Sequence, residues 1–337
     1  MGSGNSAAEC TWRLFAFKGV VSGAAMKRKF EGNELKYIKE VLDSGKLSAR
    51  YGDMAHRFEQ TFAERMGAKY AIAVNSGTSA LFVALKACGI GPGDEVIVPC
   101  LGPTMTAAAV VHAGATPVFA DIDPETYCVT EDTVYSVASL NAKAVIPVHI
   151  FGNNCCTFTD QTDFVVIEDC AQSLSPRQGG DIACYSMEQS KHICCGDGGM
   201  VTTNEPELAK LIRQWSDHGN SKVTAEDGRW RGQAEFDFPG YNFRMPEVVA
   251  AVGLAQLETA KGGLLYRAQH VYKMAVTNDA DEYENYLKSK GIEFARAPWG
   301  KLVYQWPMFG AQKGLCPVAE EIFPNLFIFP VKTCLNI

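Results

Sequence analysis

Apolar positions recur along this chain in two alternating rhythms. From Glu34 to Leu42 they have helical spacing, and from Met54 to Met66 the same spacing runs through Met54, Phe58, Phe62 and Met66, which predicts two amphipathic helices. Tyr70-Ala71-Ile72-Ala73-Val74 is instead a short continuous apolar run and reads as a buried strand. Thr78 to Cys88 then reads as a helix, Glu95 to Val98 as a strand and Met105 to His112 as a helix. Val118 to Ala120, Ala144 to Val148 and Phe164 to Ile167 complete the strands. Buried strands that alternate with helices predict a parallel sheet covered on both faces, the α/β class. After about Leu257 the pattern weakens, and Pro and Gly become denser around Pro298 to Gly314. The expected organisation is an N-terminal arm over 1–29, a large domain over 30–257 and a small one over 258–337.

Composition narrows the function classes. Hydrophobic residues make up 47% and charged residues 20%, which is a globular balance and excludes a disordered chain. The net charge is -7, with no basic run longer than Lys27-Arg28-Lys29, so there is no electrostatic footprint for a nucleic-acid backbone. No apolar run is long enough to span a bilayer. The twelve cysteines are scattered without a C-x-x-C, and no secretory leader or N-x-S/T sequon is present; this reads as reduced thiols in a cytoplasm rather than disulfides or zinc ligands. The histidines lack metal spacing such as H-E-x-x-H. A small molecule is the expected partner, and no metal.

Three segments carry chemistry. Asn75-Ser76-Gly77-Thr78-Ser79 follows a strand and opens a helix, where unpaired N–H groups, the positive end of the dipole and a glycine suit a phosphate. It also reads as an ordinary N-cap turn. Val165 to Gln172 is a strand that ends in Glu168 and Asp169, of which only one can point to a given face. A carboxylate buried there needs a cation opposite it. Ser186 to Lys191 precedes the glycine run Gly196-Asp197-Gly198-Gly199, and a lysine held in such a loop loses hydration, lowers its pKa and becomes a nucleophile for carbonyl chemistry. Together they match the needs of pyridoxal phosphate (PLP): a phosphate site, an anion for the ring nitrogen and a lysine for a Schiff base.

These segments, with Gly89-Ile90-Gly91-Pro92-Gly93-Asp94-Glu95-Val96, His218-Gly219 and Gly240-Tyr241-Asn242-Phe243-Arg244-Met245, resemble the DegT/DnrJ/EryC1/StrS family of sugar aminotransferases from about residue 30 to 330. The resemblance implies the PLP type I fold: a mainly parallel seven-stranded sheet flanked by helices, with a smaller C-terminal α+β domain. It implies Lys191 as Schiff-base lysine and proton carrier, Asp169 at the pyridinium nitrogen and Gln172 at the ring's hydroxyl side. Ser76, Gly77, Thr78 and Ser186 would hold the phosphate, and Asn242 would reach the phosphate of a neighbouring subunit in a homodimer. The implied reaction moves an amino group from glutamate or glutamine to a keto group of a sugar nucleotide or cyclitol. Alternatives within the resemblance are a sugar dehydratase, whose members carry histidine where Lys191 stands, and a non-catalytic PLP-binding sensor. The sequence departs from the pattern at Pro103, where a ring-stacking aromatic is usual, at Asp197, where glutamate is usual, and in the short stretch Gly152 to Phe164. Arg229, Trp230 and Arg231 read as an exposed loop or as a place to meet a substrate phosphate.

Overall fold

The computed structural model describes residues 30–155, 158, 162–174, 179–229, 232–260, 272–310 and 312–330. The expected arm, Trp230 and Arg231 lie outside them. Seven strands form the large sheet: β1 Tyr70–Val74, β2 Glu95–Pro99, β3 Thr116–Ala120, β4 Ala142–Val145, β5 Val165–Asp169, β6 Ile182–Ser186 and β7 Gly199–Thr203. Their order is β1-β7-β6-β5-β4-β2-β3. The pairs among β2 to β6 are parallel, whereas β7 is antiparallel to both β6 and β1. The reason lies in the connection, because parallel neighbours need a crossover and the loop from β6 to β7 contains no helix. That loop carries Lys191.

Alternation along the strands explains the two-sided burial. Ile72 and Val74 of β1 join one apolar cluster, while Ala71 and Ala73 join the other; β6 divides the same way, with Ile182 and Cys184 against Ala183 and Tyr185. Helices α3 Gly77–Ala87, α4 Met105–Ala113, α5 Glu131–Tyr135 and α6 Pro206–Ser216 connect the strands, and α1 Glu34–Ser44, α2 Met54–Met66 and α7 Glu247–Thr259 surround Phe58 and Phe62. β4 is shorter than the pattern predicts. Its ladder stops at Val145 because Pro147 has no N–H to donate, and contact resumes in a single bridge between Val148 and Asp169. Gly152 closes a short 3-10 helix, Ile150–Gly152, and none of the described residues from there to Phe164 is helical.

A second sheet, β8 Tyr272–Val276, β9 Ala295–Arg296 and β10 Leu326–Pro330, is antiparallel in the order β8-β10-β9. Leu326 and Ile328 of β10 join the large sheet's core, and the alternate residues Phe327 and Phe329 pack with Ala280 and Leu287 of α8 Ala280–Ser289. The last helix, α9 Pro317–Ile322, is tied to the large sheet by Asp121, whose carboxylate accepts from Val318 N at 2.8 Å and Ala319 N at 3.0 Å.

One buried ion pair fastens α2 to α6 beneath β1. Arg213 donates to Glu59 through two nitrogens, at 3.1 and 2.9 Å, and to the Ala225 and Ala71 carbonyls; Glu59 also accepts from Ala73 N at 2.8 Å. Removing one partner of a buried pair leaves an uncompensated charge, so Arg213→Met is expected to destabilise by about 3 to 5 kcal/mol. Urea unfolding checks this, and a loss within the error of the method contradicts it.

Candidate active site

The segments singled out in the sequence end at one edge of the large sheet. β1 and β6 run towards it and β7 starts from it, so Val74 lies opposite Gly199 and Gly199 opposite Ser186. β5 ends there as well, with Asp169 opposite Cys184. Carboxyl ends of parallel strands are where open α/β sheets bind ligands.

Ser76 is extended and caps α3, accepting from Ser79 N at 3.0 Å. Its hydroxyl is 2.9 Å from that of Ser79, which donates to Asn75 Oδ1 at 2.7 Å, so Ser76 is left to donate to Ser79 and is engaged on both sides. The N–H groups that a helix start leaves open are those of Gly77 and Thr78. Two glycines make the approach possible. A Cβ on Gly77 would lie 2.8 Å from Ser186 Cβ, and one on Gly199 would lie 2.3 Å from the Ser76 carbonyl oxygen. The result is a cradle formed by the start of α3 and the end of β6.

Asp169 is 3% exposed. Thr106 Oγ1 donates to its Oδ2 at 2.8 Å and Ala171 N to its Oδ1 at 3.0 Å, which orients the carboxylate. Glu168 points to the other face, as strand alternation requires, and accepts from Gly180 N at 2.6 Å. His149 Nδ1 accepts from Cys155 N at 3.0 Å, so its hydrogen sits on Nε2 and points at Glu168, 3.2 Å away. Both ring nitrogens of His149 are thus occupied by protein.

Lys191 sits in a closed loop. Met187 N donates to Gly198 O at 2.8 Å, Cys195 N to Met187 O at 3.1 Å and Lys191 N to Glu188 O at 2.9 Å. Burial lowers the pKa of the Lys191 amine, and the nearby charges of Asp169 and Glu188 act in the opposite sense. The Asp169 carboxylate is thus near enough for its charge to act on the Lys191 amine. Gln172 is buried, and its Oε1 accepts the Phe151 N–H at 3.0 Å. Because a backbone N–H must meet the oxygen, the Gln172 amide nitrogen is the end left to donate elsewhere.

Asn242 is exposed, beside its own chain's phosphate turn. Asn242 bridges Asp217, Arg244 bridges Val74, and Asn75 N donates to Phe243 O at 2.8 Å. Arg50 and Arg244 both donate to Asp217, so two guanidiniums share one carboxylate and this edge is positive. Arg229 is half-buried and is taken up by Asp227 and Asp53, at 3.0 and 2.7 Å. Thr106 and Phe151 were not singled out from the sequence. Thr106 carries a hydroxyl in the first turn of α4, but nothing local ties it to Asp169; for Phe151 no sequence signal exists.

A mostly parallel sheet of this order, with a half-buried lysine near a buried carboxylate and a glycine-lined helix start, defines the fold of PLP-dependent type I transferases. The chain matches the model of the DegT/DnrJ/EryC1/StrS aminotransferase family over residues 29–276 and belongs to that family. It is 40% identical over 241 residues to the spore coat polysaccharide biosynthesis protein SpsC of Bacillus subtilis, a match that covers 67% of this chain and 61% of that protein. It is 32% identical over 331 residues to the GDP-perosamine synthase of Escherichia coli O157:H7, covering 86% of this chain and 88% of that one. Among solved structures, the aminotransferase from Psychrobacter cryohalolentis superposes with a TM-score of 0.76 at 27% identity, covering 90% of this chain and 92% of that one.

Proposed function

We propose that the chain is a PLP-dependent aminotransferase that moves an amino group from glutamate or glutamine to a keto group of a sugar nucleotide or cyclitol, in amino sugar biosynthesis. The observation that carries this reading is the half-buried Lys191 amine within electrostatic reach of Asp169, at the edge where Gly77 and Thr78 open α3. The residues present fit the cofactor, since Gly77 and Gly199 let the start of α3 pack against the ends of β6 and β7 more closely than a Cβ would allow, which sets the open N–H groups of Gly77 and Thr78 beside Ser186. When bound, PLP supplies an electrophilic aldehyde and a ring that accepts the electron pair released at the substrate carbon.

The protein's own groups do the rest. Gly77 and Thr78 N–H and the Ser186 hydroxyl hold the phosphate. Asp169, oriented by Thr106 and Ala171, keeps a proton on the ring nitrogen, and the cationic ring offsets the burial of its charge. Lys191 would be the residue that holds the cofactor covalently through its amine and, when that amine is free, would serve as the proton-carrying base. Its lowered pKa raises the fraction of neutral amine at a given pH.

An anionic acceptor suits the positive edge formed by Arg50 and Arg244. The proposal includes a homodimer with shared sites, in which exposed Asn242 reaches the neighbouring subunit's phosphate; exposed Tyr241 and Phe236 on the same face supply apolar area for that contact. It also includes a cytoplasmic location, which fits the free thiols of the described cysteines. Among the described residues no helix is long and apolar enough to cross a membrane.

A donor and acceptor screen on the PLP-loaded protein tests the reading. Glutamate or glutamine is expected to discharge the visible Schiff-base band, and a keto-sugar nucleotide or keto-cyclitol to restore it with formation of the amino product. A band that no amino donor discharges would instead support a non-catalytic homologue. Loss of water from the sugar without amine transfer would support a dehydratase.

A further inference from the structure

Phe151 is an aromatic residue in the left-handed region, with φ 52. L residues avoid this conformation unless their surroundings impose it, and it clusters at functional sites. Here the backbone is held on both sides. Ile150 N donates to Val148 O at 2.8 Å and Gly152 N to His149 O at 3.1 Å, while the neighbouring His149 N donates to Asp169 O at 3.1 Å. In this conformation the Phe151 N–H meets Gln172 Oε1. The bond thereby decides which end of the Gln172 amide is free.

The Phe151 ring is buried and stacked on Trp299, with centroids 5.7 Å apart and planes 14° apart. Trp299 comes from the Pro- and Gly-dense C-terminal region, and its own backbone is left-handed, with φ 70, as is that of Ala297, with φ 44. The turn is closed by Gly300 N on Ala297 O at 3.0 Å and anchored to β10 by Ala297 N on Leu326 O at 2.8 Å. Two strained residues that bracket Pro298 are a costly way to place a half-buried indole if any apolar side chain served. What the turn delivers is a flat partner for Phe151.

We propose that Trp299 is a positioning residue: by stacking on Phe151 it keeps the Phe151 N–H on Gln172 Oε1 and so aims the Gln172 amide nitrogen at the cofactor's ring oxygen. This rests on the proposed PLP-dependent function and on the place that the family resemblance implies for Gln172, at the ring's hydroxyl side. Trp299 touches neither Gln172 nor the reacting atoms; it acts through the intervening ring and backbone.

The test compares the PLP-loaded full chain with Gln172→Ala, Trp299→Ala, Trp299→Leu and Trp299→Phe, reading the PLP dissociation constant and the pH midpoint of the visible band. Losing one hydrogen bond to a charged group weakens binding about tenfold, so Gln172→Ala is expected to raise the PLP dissociation constant by about that factor and to move the midpoint. Trp299→Ala and Trp299→Leu should move the midpoint in the same direction as Gln172→Ala, and adding Gln172→Ala to either should move it no further, the non-additivity of one linked unit. Trp299→Phe, which keeps a flat ring, should restore the wild-type midpoint. Leucine keeps apolar bulk, so a variant that folds is available if alanine does not. The proposal is overturned if Gln172→Ala moves the midpoint and the Trp299 variants leave it at the wild-type value. If Gln172→Ala itself leaves both readings unchanged, the cofactor role of Gln172 falls and the proposal falls with it.

Discussion

Lys191→Met is expected to lose the visible Schiff-base band and to cut turnover by about ten-thousand-fold or more, since the variant lacks both the covalent anchor and the proton carrier. The cofactor still has the phosphate cradle, so the variant binds PLP without the band. The same substitution makes an opposite prediction for the cofactor-free protein. Burial lowers the Lys191 pKa below the ordinary lysine value of about 10.4 that the unfolded chain retains. Between those two values the unfolded chain binds a proton that the folded chain lacks, so the lysine's contribution to stability rises with pH across that window and opposes folding below it. Methionine removes this contribution. At neutral pH the cofactor-free variant should melt no lower than wild type, and its stability should vary less on the alkaline side. Thermal unfolding as a function of pH measures both, and a variant that melts several degrees lower would contradict the assignment of Lys191 as a functional rather than structural residue.

The second large effect is expected at Asp169. Asp169→Asn keeps the side chain's size, its oxygen can still accept from Ala171 N and its amide nitrogen can donate to the Thr106 hydroxyl, but it removes the charge that acts on Lys191 and that would hold a proton on the ring nitrogen. Turnover is expected to fall by about a thousand-fold, the scale seen when one preorganised electrostatic group is lost. PLP should still bind through the phosphate cradle. In the cofactor-free protein the attraction that Asp169 exerts on the Lys191 ammonium disappears, so the Lys191 pKa should fall further than in wild type. Steady-state kinetics and a pH titration of Lys191 reactivity check the two parts. Turnover within a few-fold of wild type would remove Asp169 from the site.

The placement of both residues at this sheet edge was legible in the sequence, because Asp169 ends β5 and Lys191 lies in the loop that leaves β6, and the patterns of those elements are local. The run Val165 to Ile167 marks β5, so the carboxylates after it fall at the ligand-binding edge, and alternation shows that only one can serve it. The loop from Ser186 to Gly199 was readable for the same reason. Its orientation was less so: the antiparallel β7 follows from a connection without a helix, and it is β7 that brings Gly199 against Ser76. Contacts between distant segments were not legible. Thr106 reaches Asp169 across 63 positions of the chain, and Phe151 meets Trp299 only because β10 draws the C-terminal segment against the large sheet's core. Neither pairing leaves a periodicity, a spacing or a motif. Ser76 shows the opposite case: both sequence readings, cap and phosphate turn, apply to one segment, with the hydroxyl serving the cap and the following N–H groups left for an anion.

The positive edge at Arg50 and Arg244 has the same long-range character. Those two arginines are far apart in the chain and meet on Asp217 because the segment Asn242 to Arg244 is laid between α6 and the phosphate turn. Pro103 stands where relatives of this family usually place a stacking aromatic, and the nearby Ile150 to Gly152 segment contacts Gly102 through Ile150 Cδ1, 3.7 Å from where a Gly102 Cβ would be.

The central claim is that Lys191 holds the cofactor, and it has a direct measurement. The protein is loaded with PLP, reduced with borohydride to fix the Schiff base, digested and mapped by mass spectrometry. The account predicts the pyridoxyl group on the peptide that contains Lys191, with no such label when glutamate has first discharged the visible band. A label on a different lysine, or none on a protein that shows the band, would contradict it.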